Sequence, residues 1–309
     1  MDYTGKITDV LKDISQEAWA KYPVIITDNM EEGWGEELFG QEALKSIFTD
    51  ARIPEGCFRI VKEGTLLAHK HYSRPVLVGE TIVSRVLDGS KAVKALNEGN
   101  SVILSALEEY WKPIRTLCST LGKRLGTKCA AFAVITPPGR TGFVPHIDRT
   151  EQLVIQCSGD KNWRVFDVQT RGKGGVPVNL EDLGVPALET LLKEGQMLYL
   201  PQGAPHMASS SESLSIHITL TFEPVTMGQW IDAAVKEIIS EDDDLVKDLK
   251  PFWFEDEEYQ LQLLKAKCES IASKIAHRAE VKAKELMLKN KINTNNDSYN
   301  TISSTVGGR

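Results

Sequence analysis

The sequence predicts a mainly β core, a barrel or sandwich, with an α/β segment before it and helices after it. Three observations carry this. Short β-branched runs bounded by turn residues recur from about residue 130 to 222. Before residue 95, helical periodicity is mixed with isolated short runs such as PVIITD (23–28). Beyond residue 225, apolar residues fall at helical spacing.

Taken in order, TDVLKDISQEAWAKY has helical spacing, with a threonine suited to the N-cap. QEALKSIFTDA (41–51) also reads as helix, and FRIV and PVLV within 52–89 read as short strands. Residues 91–126 read as helix, broken near Pro113. AAFAVIT (130–136) is a strand running into the PPGRTG loop (137–142). EQLVIQC (151–157), SGD and KNWRVFDV (161–168) read as strand, tight turn and returning strand, a hairpin. QMLYLPQGAPH (196–206) is a strand ending in a turn, and SLSIHITLTF (213–222) is a long strand. Residues 256–289 form a helix with a seam at Leu264, Cys268, Ile271, Ile275, Ala279 and Leu286, suited to packing on the domain or on a second copy. The expected division is an N-terminal α/β region (1–94) packed on the core, a β core (95–225), a helical region (226–290) and a disordered tail (291–309).

A chain of 309 residues with 41% hydrophobic and 26% charged residues has ample material for a buried core. The net charge of −7 counts against a broad nucleic-acid surface and mildly favours basic partners. Five cysteines without a CxxC pair argue against a disulfide framework or thiolate zinc site, and point to a reducing compartment. Neither a signal peptide nor an apolar run long enough to span a bilayer is evident, so a cytoplasmic protein without membrane association is expected.

The chemistry concentrates in PHIDRTEQLVIQCSGDKNW (145–163). His146 and Asp148, two apart on an extended segment, share a face. Such a pair also occurs by chance on surface loops. His206, at a strand–turn–strand junction, supplies a second histidine. Two histidines and one carboxylate make the facial triad of non-haem Fe(II) oxygenases, which leaves metal positions open. Lys161 leads the next strand, on the face of Trp163, Val165 and Asp167. Position alone favours an exposed turn lysine. If that face is buried, the ammonium needs an anion, and the distal carboxylate of 2-oxoglutarate would supply one. HKH at 69–71 has no evident third ligand, and Trp111, Trp163 and Trp230 read as packing residues.

VITPPGRTGFVPHIDRTEQLVIQCSGDKNWRVF (134–166) followed by LYLPQGAPHMASSSESLSIHITLTF (198–222) resembles the cupin-like JmjC family of Fe(II)/2-oxoglutarate oxygenases. It is most similar to the ribosomal oxygenase branch, over roughly residues 95–223. The resemblance implies a double-stranded β-helix, iron held by His146, Asp148 and His206, and Lys161 on the far carboxylate of 2-oxoglutarate. It also implies O2 as co-reactant, Thr221 as a hydroxyl assisting Lys161, and His217 and Thr219 nearby. Three departures stand out. Phe132 and Val134 occupy positions where the family often carries Asn and Tyr, Arg149 stands where a second acidic residue is common, and no winged-helix region follows the core. Arg140, Arg149 and Glu151 flank the ligands as possible substrate contacts or solvated loop charges.

The leading reading is a hydroxylase of peptide or protein side chains that forms succinate and CO2. The same chemistry on a free amino acid, small metabolite or tRNA base is the alternative, as is lysine demethylation. A non-catalytic metal-binding cupin module is the reading from another class. The C-terminal helix makes a homodimer plausible.

Overall fold

The computed structural model describes residues 3–27, 30–62, 64–169, 176–248 and 257–292, except the side chains of 176 and 279–292. The chain divides after Pro224 into two compact units. The first contains α1 (Tyr3–Glu17), β1 (Val24–Ile26), α2 (Trp34–Phe39), α3 (Gln41–Asp50), β2 (Phe58–Lys62), β3 (Thr65–Leu66), β4 (Ser73–Val78), β5 (Thr81–Leu87), α4 (Gly89–Asn97) and β6 (Ser101–Leu104). It continues through α5 (Leu107–Tyr110), α6 (Lys112–Leu125), β7 (Cys129–Thr136), β8 (His146–Ile147), β9 (Glu151–Ser158), β10 (Lys161–Val165), β11 (Val176–Pro177), β12 (Leu188–Leu192), β13 (Met197–Leu200), β14 (His206–Ser210) and β15 (Ser215–Phe222).

Two antiparallel sheets form the core. One has the order β1-β13-β9-β15-β7-β6-β2-β3, the other β11-β8-β14-β10-β12. From β7 to β10 successive strands alternate between the sheets, and β13, β14 and β15 alternate again. This winding is a double-stranded β-helix. Strand alternation then assigns the faces. On β15, Ile216, Ile218, Leu220 and Phe222 belong to the large core shared with Ile7 and Leu11 of α1 and Leu117 and Leu121 of α6. His217 and Thr219 point the other way, toward the second sheet, where they line a cavity. Val154, Trp163, Val165, Leu192, Leu198 and Leu200 close the space between the sheets.

Four expectations need correction. First, residues 151–168 do not form a hairpin. β9 pairs with β13 and β15, whereas β10 pairs with β12 and β14. The SGD turn is a corner between sheets, and every residue of β9 is buried because both its faces are covered. Gly159 makes that corner at φ +63°, and a Cβ there would lie 2.4 Å from the Leu214 carbonyl oxygen. Gly159→Ala is therefore expected to destabilise the chain by about 2 kcal/mol or more, read from the denaturant midpoint.

Second, SVIL (101–104) is a strand, not helix, and all four residues are buried between β2 and β7. The β-branched Val102 and Ile103 and burial in the sheet, not the helical pattern around them, decide the outcome. Third, the break expected near Pro113 is present, at Trp111, but the proline does not interrupt a helix: Pro113 sits in the first turn of α6, where its missing N–H costs nothing. Fourth, residue 94/95 is not a structural boundary, since β1, β2 and β3 belong to the same sheet as β7, β9 and β15.

The second unit carries α7 (Met227–Glu241) and α8 (Glu257–Ile292). Thr226 and Gln229 form a reciprocal capping box at the start of α7. Lys274 pairs with Asp242 and Arg278 with Glu241, tying the two helices together. Along the expected seam, Ile271 and Ile275 are half-buried while Leu264 and Cys268 are exposed, and Trp230 is also exposed. The side chains of Ala279 and Leu286, and the tail from 293, lie outside the described residues. No helix among the described residues is long and apolar enough to cross a membrane.

Candidate active site

His146 and His206 become neighbours because β8 and β14 pair at that one position. Asp148 follows two residues after His146, just past the short strand. One donor atom from each of the three side chains lies within 4.8 Å of the others. Asp148 Oδ2 is 3.5 Å from Nε2 of each histidine, and the two rings are 4.4 Å apart.

The backbone orients both rings. His146 Nδ1 is 2.9 Å from the Val144 carbonyl oxygen, and His206 Nδ1 is 3.0 Å from that of Ala204. An imidazole that donates from Nδ1 carries its free lone pair on Nε2, and both Nε2 atoms face Asp148. Gln152 Nε2 donates to Asp148 Oδ2 at 2.6 Å and fixes the carboxylate. Burial opposes ionisation of Asp148. The Gln152 amide, together with the hydrogen bond from His146 and the charges of the two imidazoles where these are protonated, outweighs it and holds the carboxyl down to about 2. Burial lowers His206 to about 4, so it is neutral near pH 7. This donor set, two neutral-capable nitrogens and a carboxylate oxygen converging on one point, fits a divalent transition metal with open positions.

A cavity of about 370 Å³ opens from this cluster. Lys161 lies in it and is 2% exposed. Its Nζ donates to Thr136 Oγ1 at 2.8 Å and lies 3.3 Å from His217 Nδ1. Both partners are neutral, so desolvation lowers the lysine to about 7. Burial, and then the charge of Lys161, push His217 well below its usual value. Trp163 lies between the two ends, 6.0 Å from the His206 ring and 5.5 Å from that of His217. Its indole N–H is buried without a protein partner, a donor that a bound anion can meet.

The structure thus brings His146, Asp148, His206 and Lys161 to one cavity, but leaves Thr221 outside its lining. Thr221 Oγ1 donates to the Ala130 carbonyl at 3.2 Å, at the far end of β15 from Lys161. The hydroxyl on the lining is that of Thr219, two residues earlier on the same face; the hydroxyl bonded to Lys161 is that of Thr136, which sequence reading placed only in a loop-entry motif. Glu151 is no substrate contact. It is buried and accepts from the Tyr199 hydroxyl and the Gln202 amide. Arg140 and Arg149 do not line the cavity, whereas Phe132, Val134 and Arg59 do. His69 meets Glu55 at 3.9 Å and packs on Phe58 and Tyr72, with no third metal-competent group joining it among the described residues.

Fold and site together define a cupin-fold protein with a two-histidine, one-carboxylate centre. The chain matches the sequence model of the JmjC domain over residues 109–229. It is 34% identical over 131 residues to the Drosophila sechellia protein named bifunctional lysine-specific demethylase and histidyl-hydroxylase NO66, covering 40% of this chain and 20% of that one. It is 31% identical over 144 residues to ribosomal oxygenase 1 of Rattus norvegicus, covering 44% and 24%. The chain therefore spans only about a fifth to a quarter of these two relatives. In fold it is similar to ycfD of Escherichia coli, with a TM-score of 0.51 at 16% identity over 84% of this chain and 67% of that one. Another structure of that protein, described as a ribosomal oxygenase in complex with cobalt and 2-oxoglutarate, gives 0.50 at 17% identity, covering 84% of this chain and 66% of that one.

Proposed function

We propose that this chain is an Fe(II)- and 2-oxoglutarate-dependent oxygenase that hydroxylates a C–H bond of a peptide or protein side chain. The observation that carries the reading is the joint placement of a three-ligand metal cluster and a buried, anion-less lysine in one cavity. A non-catalytic metal-binding module has no use for such a lysine, whose burial is costly without an anion.

In this reading His146, Asp148 and His206 hold the metal through Nε2, a carboxylate oxygen and Nε2. When bound, iron and 2-oxoglutarate with O2 supply an oxidative decarboxylation that yields succinate and CO2 and places one oxygen atom on the substrate. The residues of the chain do the positioning. Val144 and Ala204 carbonyls keep both Nε2 atoms free of protons and aimed at the metal. Lys161 meets the far carboxylate of the cosubstrate, with Thr136 beside it as a hydroxyl donor. Trp163 and Leu200 belong to the apolar cluster that excludes water behind this end.

The relatives' printed names support a polypeptide substrate and include both hydroxylation and lysine demethylation. Either begins with the same C–H oxidation. Incubating the chain with Fe(II), 2-oxoglutarate and a peptide library of mixed charge in air is expected to release succinate, with a peptide gaining the mass of one oxygen atom. Succinate released with loss of a methyl group from a methylated peptide would favour demethylation. A chain that binds metal but turns over no 2-oxoglutarate under any of these conditions would leave the binding module as the better reading.

A further inference from the structure

The cavity has two halves of different chemistry. One contains the metal cluster with Lys161 and His217 beyond it, the lysine bonded to Thr136 behind the lining. The other is walled by Phe132, Val134 and Phe143, which cluster with Val61 and Ile103. Apart from histidines, the charged residues among those lining the cavity are Asp148, Lys161 and Arg59. On the reading above, the metal takes Asp148 and the cosubstrate takes Lys161. Arg59 is left to meet the substrate.

Arg59 stands on β2, in register with Ile103 of β6, which is in turn in register with Val134 of β7. Its guanidinium carbon lies 5.9 Å from the Phe143 ring centroid, and that ring is 5.5 Å from the ring of His146. The following turn is pressed onto the loop that enters His146, since a Cβ on Gly64 would fall 2.7 Å from Val144 Cγ1. The cation is thus held two ring contacts from the metal cluster. It is exposed and makes no hydrogen bond or ion pair within the described residues. An arginine stays charged at any physiological pH and suits a carboxylate through two parallel donors.

We propose that Arg59 is a specificity-determining residue, which pairs with a carboxylate of an acidic polypeptide while an uncharged side chain of that polypeptide enters the apolar half of the cavity. A cationic side chain meets no free carboxylate there among the described residues, because the acidic group they place on the lining is Asp148, which serves the metal. Arg59 would also repel it. The chain's overall negative charge does not cancel this preference, because exposed charges beyond about 8–10 Å are largely screened at physiological ionic strength. This inference rests on the oxygenase reading and adds the substrate's charge class to it.

The test uses three pools of synthetic peptides, with random uncharged sequence carrying Asp and Glu, Lys and Arg, or neither. Peptide-dependent succinate release is measured against pool concentration for wild type, Arg59→Lys and Arg59→Glu. Calorimetry of 2-oxoglutarate binding on the same proteins serves as the control. The acidic pool is expected to be preferred about tenfold over the neutral pool, mainly in KM. Arg59→Lys should retain part of that preference, and Arg59→Glu should reverse it toward the basic pool. A structural role for Arg59 would not reverse a charge preference. Equal use of the pools, preference for the basic pool, an unchanged order in Arg59→Glu, or no stimulation by any pool would each overturn the inference. Failure of the wild type to bind 2-oxoglutarate would instead overturn the oxygenase reading itself.

Discussion

Asp148→Ala is expected to abolish 2-oxoglutarate turnover while leaving the chain folded. Asp148 is the one carboxylate of the cluster and sits within 3.5 Å of both histidine Nε2 atoms. Removing a group that merely orients a metal ligand typically lowers metal affinity by about 10–100-fold, so losing a ligand should exceed about 100-fold. Asp148→Asn isolates the charge. Its amide oxygen can still accept from Gln152, so the local hydrogen bond survives while the anionic ligand is gone. Both variants should fail equally in a metal titration by calorimetry. Wild-type metal affinity in either one would remove Asp148 from the ligand set.

Lys161→Met is expected to move stability and cosubstrate binding in opposite directions. The lysine is buried against neutral partners, and desolvation lowers it to about 7 from an ordinary 10.5. A buried cation of this kind costs stability, and a methionine of similar length removes the cost. The unliganded variant should gain about 2 kcal/mol or more near pH 7, read from the denaturant midpoint. The sign with pH follows from the lowered value. Between about 7 and 10.5 the unfolded chain holds a proton that the folded chain does not, so wild-type stability from this group rises with pH over that window. The advantage of Lys161→Met is therefore largest at pH 7 and below, and shrinks toward pH 10.5. Cosubstrate binding shows the reverse. Without the ammonium, the far carboxylate is buried unpaired, and affinity for 2-oxoglutarate should fall by about 100-fold or more. In the wild type that affinity should weaken as pH rises above 7, with proton uptake on binding. A variant that is both less stable and unimpaired in 2-oxoglutarate binding would contradict this role.

Much of the site was legible because its residues depend on short-range patterns. His146, Asp148 and Lys161 lie within sixteen positions of one another, and alternation on an extended segment is enough to put Lys161 and Trp163 on one face, which the structure buries although position alone favoured an exposed lysine. His206 lies far along the chain; its strand–turn–strand setting offered it as the second histidine, and the resemblance joined it to the others. The helices also read well where an apolar stripe meets a core, as at Val10, Leu11 and Ile14 of α1, although α1 starts at Tyr3 and carries Thr8 within it rather than at its N-cap.

What could not be read was pairing. A strand, a glycine turn and another strand look the same whether the chain doubles back in one sheet or crosses to a second, and β9–β10 crosses. The apolar run Leu153–Ile155 in β9 was the available clue, since a strand covered on both faces shows few polar residues, but Glu151, Gln152 and Gln156 on either side blurred it. Thr136, Thr219 and Thr221 are chemically alike. Which of them reaches Lys161 depends on the depth of the cavity along β15 and β7, and sequence spacing does not encode that depth. Arg59 carried no local signal, because it reaches the site through sheet register from a segment that sequence reading assigned outside the core.

The most direct test of the central claim is calorimetric titration of 2-oxoglutarate into the Fe(II)-loaded chain without oxygen, on wild type, Asp148→Ala and Lys161→Met. Binding by the wild type that depends on metal and is lost in both variants is the predicted result. Metal binding without any 2-oxoglutarate binding, or 2-oxoglutarate binding that survives Lys161→Met undiminished, would contradict it.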